Sequence, residues 1–121
     1  MERRNRRSDA HHEALYYQLD TSCQRAALEA MVLADQDGLC VASSGDPDMC
    51  DEIAAHMAML CEQDESFVGT VAMPDEDCRH VQMRRFAAQG TNLYLCAVGG
   101  DPRRSHELDH SMTGVTRILA S

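Results

Sequence analysis

The sequence has 121 residues, enough for one domain with one hydrophobic core, and it carries 11 arginines, no lysine and 20 acids for a net charge of −9. Four arginines and one acid lie in residues 1–8, so the remaining body has a charge of −12, which repels phosphate backbones and excludes nucleic-acid binding. No apolar run approaches the ~18 residues of a membrane helix, and none follows the charged start as in a signal peptide, which excludes membrane insertion.

These features predict a disordered basic tail at residues 1–8 and a single domain at residues 9–121. The six cysteines are spread through apolar runs and form no Cys-x-x-Cys pair. They are therefore expected to be reduced thiols that act as small core residues in a cytoplasmic protein. The lysine-free composition, rich in arginine and alanine, favours a bacterium with a GC-rich genome.

The first predicted element is a helix from about Asp9 to Arg25 or Ala27, because apolar residues recur there every three or four positions. A β-hairpin follows, with apolar runs at 30–34 and 39–42 on either side of the turn signal Asp37-Gly38. The hairpin is the most clearly marked strand pair in the chain.

A second helix is predicted to begin at Pro47, which follows the capping residue Asp46, and to extend to about Gln63. Its apolar stripe is wider than one buried face needs, which indicates that two sides of the helix are covered. A simple core helix is the other interpretation of that stripe.

Three further strands are predicted at 66–73, 79–87 and 92–98, separated by the turns 74–77 and Gln89-Gly90. The last of them is almost wholly apolar and should be central. After a second cap at Asp101-Pro102, a third helix is expected to pack through Leu108, Met112, Val115 and Leu119. The predicted order is α-β-β-α-β-β-β-α, an α+β domain.

Two stretches stand out within this order of elements: residues 37–45, Asp-Gly-Leu-Cys-Val-Ala-Ser-Ser-Gly, and Glu52-Ile53-Ala54-Ala55 in the second helix. Together with the order of elements, they resemble the Roadblock/dynein light-chain family. The resemblance implies a profilin-like five-stranded antiparallel sheet, with the second helix on one face and the other two helices on the opposite face. It also implies a homodimer that acts as an adaptor or regulator of small Ras-like GTPases, in bacteria often for cell polarity or motility, and in some members as a GTPase activator.

The resemblance further implies that the third strands of two copies pair edge to edge and that their second helices pack together. Two observations agree: the strand at 66–73 has no lysine or proline to protect an exposed edge, and the second helix is broadly apolar. On this hypothesis Met57→Glu should yield monomers. The predicted interface residues are Met49, Ile53, Met57, Leu60, Phe67, Val68 and Val71.

No enzyme, cofactor or metal site is expected, although one motif resembles a zinc hydrolase. His106-Glu107-Leu108-Asp109-His110 matches His-Glu-x-x-His on a predicted helix, but Asp109 is charged and no third ligand follows. An exposed helix surface explains the motif better, and a zinc-dependent hydrolase remains a remote alternative. The main alternative to an interaction module is a sensor domain that binds a small ligand in a profilin-like fold.

Phosphoryl transfer in a bound GTPase can be helped by an arginine supplied by the partner, and the candidates outside the tail are Arg84, Arg85, Arg103 and Arg104. The chain lacks the phosphate-binding Gly-x-x-x-x-Gly-Lys-Ser/Thr motif and is therefore not itself the GTPase. Binding alone could also reshape the switch regions of a GTPase without any catalytic arginine.

Overall fold

The computed structural model describes residues 6–61, 65–73, 78–100 and 103–120, with side chains from residue 10 onward. Within these residues the chain forms three helices and five strands in the predicted order. Their bounds are α1 (Arg6–Ala26), β1 (Leu28–Asp35), β2 (Cys40–Ser44), α2 (Pro47–Leu60), β3 (Ser66–Ala72), β4 (Cys78–Ala88), β5 (Thr91–Gly99) and α3 (Arg104–Ala120).

The boundaries differ from the predicted ones mainly at the helices. α1 begins three residues before Asp9, and α2 ends at Leu60, short of Gln63, with Cys61 as its C-cap. The predicted acidic turn at 74–77 and the predicted cap at 101–102 lie outside the described residues, as do residues 1–5 of the predicted tail. In the part of the chain that is described, no helix combines the length and apolar character needed to cross a membrane.

The five strands form one antiparallel sheet in the order β2-β1-β5-β4-β3. β5 is central, as predicted, and residues 93–98 of this strand are all buried. The α+β fold class expected from the sequence is confirmed. The two edge strands are β2 and β3, and they differ in regularity.

At the β2 edge, Leu33 pairs with Ala42 while the next residue, Ala34, pairs with Cys40. Val41 is therefore an extra residue that makes a bulge in a strand of only five residues. By contrast, β3 pairs with β4 in unbroken register from Ser66 opposite Arg84 to Ala72 opposite Cys78. Of these two edges, β3 is the long and regular one.

Alternate residues of the strands point to opposite faces of the sheet and enter two separate cores. On one face the sheet packs against α2, and this core contains Ala30, Val32, Ala34, Cys50, Ile53, Ala54, Met57, Val81, Met83, Cys96 and Val98. On the other face it packs against α1 and α3, and this core contains Leu15, Leu19, Met31, Leu33, Leu93, Leu95, Ala97, Leu108 and Val115. The chain thus forms three layers.

Local hydrogen bonds explain where the hairpin turns and where α2 begins. The Asp35 carboxylate accepts hydrogen bonds from the backbone N–H groups of Asp37 and Leu39, at 2.9 and 3.1 Å. The Asp46 carboxylate accepts one from the backbone N–H of Met49 at 2.9 Å, and Pro47 occupies the first turn of α2. The predicted cap of α2 is therefore present, and it directs α2 across β1 and β2.

Candidate functional site

The predicted interface residues fall into two groups in the structure. Ile53 and Met57 are fully buried, and Val71 is nearly so, in the core beneath α2. Their apolar character is satisfied within one copy, so they offer no surface to a second one. The simple core explanation of the α2 stripe therefore accounts for these positions.

The other predicted interface residues retain accessible surface. Met49, Leu60 and Phe67 are half-buried at the margin of the same core, and Val68 is 65% exposed. α2 lies over β1 and β2 and reaches β5 only at its margin, so it leaves the β3 end of the sheet less covered. For these four residues the interface stays a prediction.

The β3 edge, which we define as residues 66–72, has two distinct faces. On the α2 side, the Phe67 ring lies across Gly69: a Cβ placed on Gly69 would be 2.8 Å from the Phe67 Cζ atom. On the opposite side, Ser66, Val68, Thr70 and Ala72 are exposed. An apolar aromatic ring and an exposed valine therefore flank one stretch of regular edge backbone.

The His-Glu-x-x-His motif lies on α3, but its glutamate points away from solvent. Glu107 is buried and accepts a hydrogen bond from the Ser22 hydroxyl of α1 at 3.1 Å, and Ser22 in turn lies 2.5 Å from the Ser111 hydroxyl. Both histidines are exposed. Glu107 therefore joins α1 to α3 and is not available as the general base of a hydrolase.

The contacts around this motif do not favour metal binding. Asp109, between the two histidines, forms an ion pair with Arg84 of β4. Across the described side chains of residues 10–61, 65–73, 78–100 and 103–120, no three of the His, Cys, Asp or Glu type group closely enough to hold a metal ion. These residues of α3 instead hold the helix against α1 and β4.

Three of the four candidate arginines hold fixed places in the fold. Arg84 is paired with Asp109, and Arg85 donates to the Cys61 carbonyl at 3.5 Å. Arg104 donates to the Gln82 side chain at 3.3 Å and to the Gly99 carbonyl at 3.1 Å. Arginines held by these contacts would have to release them before they could reach the phosphates of a bound GTPase.

Four of the six thiols, those of Cys23, Cys50, Cys61 and Cys96, are buried as the sequence predicts for core cysteines, and a fifth, that of Cys40, is half-buried. Burial raises the pKa of Cys23, Cys40, Cys61 and Cys96, and it raises the pKa of Cys50 to about 11. Cys78 differs because its side chain is exposed at the start of β4. Since the thiolate is the nucleophile, the raised pKa values argue against a catalytic cysteine among these five.

We expect one fast-reacting thiol in the native, reduced protein. At pH 8 a thiol of pKa about 11 is ionised in only about one molecule in a thousand, and burial blocks it further. Titration with a chromogenic disulfide should therefore show one rapid equivalent that is absent in Cys78→Ser, a slower one from the half-buried Cys40, and four that appear only on unfolding or at strongly alkaline pH. Two or more rapid equivalents in the wild type would contradict this arrangement.

A groove opens at the β2 end of the molecule, where α1 passes the edge of the sheet. It has a volume of about 760 Å³ and is lined by His12, Glu13, Ala14, Tyr16, Tyr17, Cys40, Val41, Ala42, Ser43 and Asp51. Sequence reasoning does not single out the two tyrosines. The sequence does carry one signal for them. Leu15 and Leu19 define the buried face of α1. Because adjacent residues on a helix point about 100° apart, Tyr16 and Tyr17 both fall outside that face.

No protein-family model matches the sequence, and no curated protein matches it. Solved structures do match, at low sequence identity. A Roadblock/LC7 domain from Streptomyces avermitilis superposes with a TM-score of 0.65 at 23% identity, over 88% of this chain and 98% of that one. MglB from Myxococcus xanthus superposes with a TM-score of 0.64 at 10% identity, over 90% of each chain.

A third structure, an MglB with a tetrameric arrangement, superposes with a TM-score of 0.67 at 12% identity, over 92% of this chain and 91% of that one. All three similarities extend over nearly the whole of both chains. At this level of identity they establish a shared architecture. The resemblance expected from the sequence is confirmed for the fold: this chain has the fold of the Roadblock/LC7 domains and of MglB.

Proposed function

We propose that the chain is a homodimeric, non-enzymatic interaction module that regulates or scaffolds a small Ras-like GTPase. The observation that carries this proposal is the β3 edge, a regular strand edge without lysine, proline or bulge, in a domain of Roadblock/LC7 fold. Exposed edges of this kind pair with other strands unless something covers them. A second copy that pairs through the same edge would cover it and give a closed two-fold dimer.

The partner class comes from the structural likeness. The Roadblock resemblance implies GTPase partners, and the MglB structures share the fold over nearly their whole length. One of these MglB proteins adopts a tetrameric arrangement, so association of copies occurs within this architecture. These relationships fit a cytoplasmic protein that regulates or scaffolds a small Ras-like GTPase. The process it would serve is bacterial cell polarity or motility.

Val68→Lys tests the dimer. The side chain is 65% exposed, so lysine should fold normally in one copy, while its charge at the edge opposes strand pairing. We expect light scattering after size exclusion to give twice the chain mass for the wild type and the single-chain mass for Val68→Lys. Leu39→Lys, equally exposed at 65% but next to β2, is the matched control and should remain dimeric.

The dimer hypothesis fails if the wild type is a monomer at high concentration, or if Leu39→Lys and Val68→Lys dissociate alike.

To test the GTPase role, tagged wild type and Val68→Lys would be used to capture partners from the native cytosol. A GTP-binding protein of the Ras-like class should be enriched on the wild type, and its hydrolysis rate with and without the chain then separates activation from tethering. If no GTP-binding protein is retained above the level of empty resin, the proposed partner class is wrong.

The groove beside β2 favours one second candidate, a sensor of small ligands. Its volume of about 760 Å³ falls within the range of small-molecule sites. Its lining mixes tyrosine rings with acidic side chains. A compound library screened by thermal shift would support a sensor if a small molecule stabilises the wild type and not Tyr16→Ala.

A further inference from the structure

The groove beside β2 lies at the opposite end of the sheet from the β3 edge, so the proposed dimer does not account for it. Three exposed apolar side chains mark this end of the molecule. Tyr16 and Tyr17 line the groove and are 50% and 73% exposed, and Leu39 directly precedes the lining residue Cys40. Exposed tyrosines gathered at a concave surface are typical of protein interfaces.

The charges of the groove define what it would bind. Glu13 of α1 and Asp51 of α2 both line it and are both exposed, and among the described lining residues the one side chain able to carry a positive charge is that of His12. A guanidinium group stacks on the face of a tyrosine ring and forms paired hydrogen bonds with a carboxylate. Tyrosines flanked by carboxylates on two helices therefore match an arginine side chain.

We propose that this groove docks an arginine-bearing segment of a protein partner. The mode of binding follows from the β2 edge. β2 is short and bulged at Val41, which disfavours the addition of a further strand along it. The segment is therefore held by its side chains, with arginines over Tyr16 and Tyr17 and towards Glu13 and Asp51. This site is separate from the β3 edge and does not depend on the proposed GTPase role.

The test uses a fluorescein-labelled octapeptide of alternating glycine and arginine, titrated with the full chain at low salt. A second peptide replaces each arginine by citrulline, which keeps the planar shape and removes the charge. We expect saturable binding of the arginine peptide and at least tenfold weaker binding of the citrulline peptide. Amide NMR signals of α1 near Tyr16 and of β2 should shift on binding.

Variants then separate the groove from the general acidity of the chain. Glu13→Gln, Asp51→Asn and Tyr16→Ala should each raise the Kd about three- to tenfold. Glu65→Gln is the matched control, because it removes the same charge from an exposed residue that leads into β3, and it should change the Kd less than twofold.

Equal binding of the two peptides would overturn the proposal, because the charge would then not be recognised. An equal loss of affinity in Glu65→Gln and Glu13→Gln would also overturn it, since the peptide would then respond to the overall charge of −9. Each variant is also examined by light scattering. An unchanged oligomeric state with lost peptide binding assigns the effect to the groove and leaves the dimer hypothesis untouched.

Discussion

Met57→Glu is expected to unfold the chain and not merely to separate two copies. Met57 is fully buried beneath α2, where it packs in the core with residues of the sheet. The substitution removes a buried apolar side chain, at a cost of about 2–5 kcal/mol, and forces a carboxylate into an apolar site. Because domains of this size are stable by only about 5–15 kcal/mol, most or all of the folded population should be lost.

The measurement is urea unfolding followed by circular dichroism, with Met59→Glu as the matched control. Met59 lies two residues further along the same helix and is 63% exposed, so its substitution should change the free energy of unfolding by less than about 0.5 kcal/mol. If Met57→Glu is folded and monomeric, the side chain is at an interface after all. That outcome would restore the interface predicted from the sequence and contradict the buried position.

This pair of methionines shows the limit of sequence reasoning. The spacing of apolar residues predicts α2, and the Asp46-Pro47 signal predicts its start, because both depend on neighbouring residues only. Which side of the helix faces the sheet depends on contacts with distant strands. A stripe that is apolar on two sides does not distinguish a deep core from a core plus an interface, and the structure assigns Ile53 and Met57 to the core.

The same limit applies to polar residues. The sequence predicts a solvated helix surface for Glu107, because charged residues are rarely buried without a partner. Its partner, Ser22, is 85 positions away and belongs to α1, so no local pattern could pair them.

The strands, by contrast, are predicted well, since a run of alternating or continuous apolar residues is itself the signal for a strand. The groove beside β2 forms only when α1 and α2 meet the edge of the sheet, and no local pattern predicts it.

Gly45→Ala is the second substitution expected to have a large effect. Gly45 joins β2 to the cap of α2 with a φ of +128°, a conformation that favours glycine. A Cβ at this position would lie 2.6 Å from the Ala30 Cβ atom and 2.8 Å from the Glu29 carbonyl oxygen. Both contacts involve β1, whose backbone is held between β2 and β5 and cannot retreat without breaking the sheet.

We expect Gly45→Ala to lower the free energy of unfolding by about 3–5 kcal/mol, from backbone strain together with the steric clash. Gly90→Ala isolates the strain, because Gly90 has a φ of +75° but no heavy atom of the described residues lies within 4 Å of the position that a Cβ would take. It should cost only about 1 kcal/mol. The melting temperatures of the two variants are measured by thermal unfolding and compared with that of the wild type. If both lower the melting temperature equally, the close approach of Gly45 to β1 contributes nothing, and the path of the chain from β2 into α2 must differ from the one described.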